Sequence, residues 1–138
     1  MLIKDQKHIA DIQADFRRLF PYLKLEFYNL QHEAGEGSPK RALLPSHKLL
    51  SEVRTVHNEG DLTILPEMTV NELENKFSDL YGLNAQVFRR SGNLWMQTTV
   101  TDSWTLAEQN RKGGVSEAFF EEMHNSEQKS EDDNLLKD

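Results

Sequence analysis

The sequence predicts an α+β fold: a mixed sheet of about four to five strands with two main helices, ending in an acidic C-terminal tail. Three observations carry that prediction. Apolar residues recur at helical spacing over residues 9–20 and 70–81, and they alternate with polar ones over 23–27 and 83–100. Charge is also unevenly spread. From Gly113 onward eight acids face two lysines, a net −6, so only −1 of the total −7 belongs to residues 1–112. The expected organisation is one globular domain over 1–112 and a tail over 113–138.

In the first helix, "DQKHIADIQADFRRLF", Ile9, Ile12, Phe16, Leu19 and Phe20 form the apolar stripe. Asp5 is placed to cap its start and Pro21 to end it. "YLKLEFY" reads as a half-buried strand, with Leu23, Leu25 and Phe27 alternating with Lys24 and Glu26. A long turn-rich connection follows, with one helical turn expected at "HKLLSEV". "RTVHNEGDLTIL" is expected to form two short strands around "NEGD".

The second helix has a capping box, Thr69 with Glu72, and Met68 and Leu73 at the staple positions. Val70, Leu73, Phe77, Leu80 and Tyr81 form its stripe, and Gly82 its stop. Two strands follow, residues 83–90 and 94–100, with the turn at Ser91-Gly92 or at Gly92-Asn93. The two registers differ by two residues, so both leave every side chain on the same face. Leu83, Ala85, Val87, Leu94, Met96 and Val100 share one face. Gln86, Phe88, Arg90, Trp95, Gln97 and Thr99 share the other. A helix followed by a strand recurs at residues 12–27 and 73–88, read as shared architecture rather than a true repeat. After "RKGG", taken as a linker at Arg111–Gly114, "VSEAFFEEMH" forms a short helix capped by Ser116. Disorder is expected from Asn125.

Between Leu50 and Asn110 the stretches "TVNEL", "YGL", "QVF", "SG" and "TDSWTLAEQN" come in a particular order. That order resembles the ubiquitin-like β-grasp pattern, with Thr105 and Glu108 as a second capping box. The resemblance implies a β-grasp-like C-terminal half and a scaffold used for protein recognition, and fold alone does not fix function.

Catalytic and metal signatures are weak. There is no cysteine, which excludes disulfides and thiolate chemistry. His8, His32, His47, His57 and His124 show no paired spacing, and "HEAGE" lacks the second histidine of a zinc helix. Paired acids such as Glu72 and Glu74 are explained by capping and helix solvation. No cofactor and no metal are therefore expected. The loop "GEGSPKR" lacks phosphate-loop spacing and reads as a turn fixed by Pro39. No signal segment or membrane span is visible, so a soluble cytoplasmic protein is expected.

The hairpin face remains. Gln86, Phe88, Arg90, Trp95, Gln97 and Thr99 form the candidate surface, because aromatics flanked by arginine and amides are what interface centres use. The leading expectation is a non-catalytic interaction module with a protein partner. The second is nucleic-acid binding through Arg17, Arg18, Arg89, Arg90 and Trp95. The third is a small enzyme with a composite site around His57 or "GEGSPKR".

Overall fold

A computed structural model describes residues 1–29 and 34–135, with side chains through Glu127. His32 and residues 136–138 lie outside the described residues. The elements run β1 (Leu2–Ile3), α1 (Ile9–Leu19), β2 (Leu23–Tyr28), a 3-10 turn at Lys40–Ala42, α2 (Leu50–Val53) and β3 (Gly60–Asp61). They continue with α3 (Val70–Tyr81), β4 (Asn84–Ser91), β5 (Leu94–Gln97) and α4 (Leu106–Leu135).

The class is α+β, but the sheet is not the single mixed one expected. It is two antiparallel sheets, β1-β3 and β2-β4-β5. The predicted hairpin around "NEGD" does not form. Gly60 and Asp61 pair instead with Ile3 and Leu2 at the other end of the chain. This joins the N-terminus to the middle of the sequence, and the Met1 ammonium donates to the Asp61 carboxylate at 2.9 Å.

Helices α1 and α3 form where the apolar spacing placed them. Ile9, Ile12, Phe16, Val70, Leu73 and Phe77 are all fully buried with Leu23, Leu25 and Phe27 of β2. Phe27 meets Phe77 edge-to-face at 5.4 Å. Thr69 caps α3 by accepting from the Glu72 N–H, and Gly82 ends it at φ 62°, a left-handed conformation that favours glycine. Leu19 and Leu80 depart from their stripes and are 51% and 48% exposed.

The start of α1 differs from expectation. His8 occupies the cap position, and its N–H donates to Asp11. Asp5 lies a turn earlier and is committed elsewhere. Its Oδ1 accepts from Arg54, whose guanidinium is fully buried, and its Oδ2 meets His57 Nδ1 at 2.7 Å. Burial alone would raise the Asp5 pKa. The bonds from Arg54 and His57 outweigh that and hold the carboxyl below its ordinary value.

The β4–β5 hairpin uses the Gly92-Asn93 turn, with Ser91 opposite Leu94 and Phe88 opposite Gln97. Gly92 takes φ 61°. Of the side chains assigned to the inner face, Leu83, Ala85 and Val87 are buried. Leu94 is 67% exposed, Met96 39% and Val100 92%, so these three depart from the expected inner face. Glu74 is a further correction to the sequence reading. It is buried, and its Oε2 accepts the Val87 N–H at 2.9 Å. The chain leaves the ladder after Thr98, whose N–H still donates to Val87 O. A helix carboxylate thus satisfies a donor that a longer strand would have paired.

"RKGG" is not a linker. The backbone of α4 is helical through it and on to Leu135, across the region expected to be disordered. A Cβ on Gly113 would come within 3.0 Å of Tyr22 Cβ and of its carbonyl oxygen. The two glycines let the helix lie directly on the turn into β2.

The echo between the halves goes further than helix and strand. In the first half Ile9 N donates to Lys48 O and Leu50 N to Lys7 O. In the second Val70 N donates to Trp104 O and Leu106 N to Met68 O. The starts of α1 and α2 are thus bridged in the same way as those of α3 and α4, with isolated bridges at His8–Leu49 and Thr69–Thr105. Strands β2 and β4, one from each half, pair antiparallel at the centre.

Candidate functional site

The outer face of the three-stranded sheet is set by strand parity. Lys24, Glu26 and Tyr28 point outward from β2, Phe88 and Arg90 from β4, and Trp95 and Gln97 from β5. Register places Lys24 against Phe88 and Arg90 against Trp95. Arg17, exposed near the end of α1, reaches the same place from beyond the edge of β2.

Trp95 is half-buried, and three cations lie against its ring. The Arg17 guanidinium lies 4.8 Å from its ring centre, that of Arg90 5.0 Å and the Lys24 ammonium 5.3 Å. Lys24 also sits 5.1 Å from the Phe88 ring. A positive charge over an indole face is attracted to the ring quadrupole, and each such contact contributes about 0.5–1 kcal/mol at an exposed site. Two carboxylates temper the charge: Glu117 of α4 binds Arg90 at 2.8 Å, and Glu26 lies 3.4 Å from Lys24.

Beside this cluster runs a groove of about 390 Å³, lined among others by Tyr28, Lys40, Leu43, Phe88 and Trp95. Its far wall is the segment after the 3-10 turn, where Leu43 bridges Tyr28. Its floor is closed by Gln97, whose amide accepts from Ser38 N and donates to Ser38 O. Burial, and secondarily Glu26, pushes the Tyr28 phenol up to about 12, so it stays a neutral hydroxyl.

The six surface candidates do not share one environment. Phe88, Arg90, Trp95, Gln97 and Thr99 are partly accessible. Gln86 is 1% exposed and lies under Ser38, so it belongs to the frame. Of the nucleic-acid candidates, Arg17, Arg90 and Trp95 come together. Arg18 pairs with Asp15. Arg89 lies over Trp104 at 5.7 Å and donates to the buried Gln109, and burial lowers its pKa. Lys24, Lys40 and Leu43 were missed as site residues. Lys24 was legible as an outward position on β2, but the pairing of β2 beside Phe88 was not.

Around His57 and "GEGSPKR" several polar groups are bound within the protein. His57 is half exposed and tied to Asp5, which also serves Arg54, so the pair acts as a staple. In "GEGSPKR", Gly35 N donates to Asp102 and Ser38 N to Gln97, so these two N–H groups are committed within the protein. Among the described residues no group of three or more His, Asp or Glu could hold a metal, and no helix is long and apolar enough to cross a membrane. Comparison with protein-family models, curated proteins and solved structures finds no match.

Proposed function

We propose that this protein is a non-catalytic interaction module, and that its docking face is the outer side of the β2-β4-β5 sheet with Trp95 as the anchor. The observation that carries this reading is the placement of Trp95. A large aromatic stays half accessible between Arg17, Lys24 and Arg90, beside a groove, where binding could complete its burial. Tryptophan and arginine in such a setting dominate interface energetics. The order α3, Gly82, β4–β5 hairpin and the Thr105 helix start supports, in addition, a β-grasp-like reading of residues 50–110 as a recognition scaffold. The cationic, aromatic composition also favours a second reading, single-stranded nucleic acid stacked on Trp95.

A photo-crosslinking residue at Leu43, on the rim of the groove, tests the docking face. In cell extract it should trap a discrete partner, and one at Leu80, exposed on α3, should not. Equal trapping at both positions, or trapping only from Leu80, would refute the assignment.

A further inference from the structure

The charge around the groove departs from that of the molecule. The protein carries −7 overall, yet Arg17, Lys24, Lys40 and Arg90 converge on the outer sheet face around Trp95 and Phe88. Arg90 is paired with Glu117, and Lys24 faces Glu26 at 3.4 Å. Among the described residues, neither Arg17 nor Lys40 is in an ion pair. Both side chains are exposed and come from different elements: Lys40 lines the groove, and Arg17 lies over the Trp95 ring beside it. The lining between them is not uniformly polar. Leu43 is exposed at the rim, Phe88 is half-buried, and Tyr28 lines the wall.

We infer that the occupant of this groove is an acidic polypeptide segment, with carboxylates meeting Arg17, Lys24 and Lys40 and an apolar side chain set between Leu43 and Phe88. This rests on the docking face proposed above and names the chemistry of its partner. The cations stand on separate elements, α1, β2 and the 3-10 turn, which suits discrete carboxylates on a peptide. A volume of about 390 Å³ fits a few side chains rather than a long polymer.

A nucleic acid is disfavoured by what borders the site. Glu117 holds Arg90, and Glu121 and Glu122 are exposed further along α4 in a segment of net −6 from Gly113 onward. A uniformly charged backbone leaving the groove toward α4 would run into that repulsion. A peptide whose acids are confined to a few positions would not.

The test uses the full chain carrying Trp104→Phe, so that fluorescence reports Trp95 alone. The probes are a short capped peptide of glutamates around a central leucine, its lysine counterpart, and single-stranded oligothymidylate. The glutamate peptide should give a saturable change in Trp95 emission. Its affinity should fall about tenfold or more with Arg17→Glu, and should weaken as salt rises. Arg17 is exposed on α1, and an unchanged thermal midpoint would show that this variant is folded.

Binding of the lysine peptide instead, or tighter binding of oligothymidylate at the same salt, would overturn the inference. So would indifference of the glutamate peptide to Arg17→Glu. If no probe binds while the Leu43 crosslink still forms and depends on Trp95, the acidic occupant is wrong and the docking face stands. Loss of that crosslink specificity would remove both.

Discussion

At the scale of single residues, burial separates the side chains that hold the fold from those that serve the surface. Phe77 is fully buried and packs edge-to-face on Phe27, so Phe77→Ala removes a ring that joins α3 to β2. Chemical denaturation should show a loss of about 3–5 kcal/mol, and a loss under about 1 kcal/mol would contradict the assigned core. Asp5 acts through charge. Because Arg54 is buried against it, Asp5→Asn leaves a guanidinium short of its counter-ion and should lower the thermal midpoint well below that of an exposed control such as Asp79→Asn. The same pair sets a pH response. The folded-state pKa of Asp5 lies below the unfolded one, so its contribution is fully present above about pH 4 and is lost as pH falls through the folded value. Thermal midpoints of the native chain should therefore fall in acid more steeply than those of the Asp5→Asn chain.

At the scale of elements, α4 supplies two opposite predictions along one helix. Near its start it is pinned: Asn110 Oδ1 accepts from Tyr22 N, and Gly113 and Gly114 lie against Tyr22. On an exposed helix, glycine to alanine gains roughly 0.5–1 kcal/mol. Here the new methyl meets a carbonyl at 3.0 Å, so Gly113→Ala should fail to stabilise, and Gly113→Leu should lower the midpoint by several degrees. A gain from either would restore the linker reading. Further along, Arg90–Glu117 and Ser116 Oγ to Gly92 N are, among the described residues, the last polar ties to the hairpin, and the side chains at 121–127 are exposed. Truncation before Asn125 should leave the midpoint nearly unchanged, and a large drop would show that the removed segment docks. These contrasts mark what was legible. Helices α1 and α3 and strand β2 follow from apolar period, and α3 also from its cap, which are local signals. The α4 path was hidden because two glycines signal a loop unless a neighbour such as Tyr22 requires their lack of side chains. The β1–β3 pairing was hidden because it joins segments about sixty residues apart. Glu74 was hidden because only the departure of the chain after Thr98 leaves Val87 N needing an acceptor.

At the scale of the molecule, two similarly bridged halves meet through β2 and β4, and the face they share carries Lys24 from one half and Phe88, Arg90 and Trp95 from the other. Parity alone gave the outward positions on the hairpin. The cation cluster needed the tertiary pairing that brings β2 alongside and α1 over the edge. The central claim is that Trp95 serves a partner more than it serves the fold. The most direct measurement is Trp95→Ala in the full chain, with thermal stability and affinity for the Leu43-crosslinked partner read on the same preparation. Losing three cation contacts of about 0.5–1 kcal/mol each should cost the fold about 1.5–3 kcal/mol. Binding should weaken by about 2 kcal/mol or more, roughly thirtyfold. A variant that unfolds readily, or one that binds its partner as tightly as the native chain, would show that Trp95 belongs to the frame.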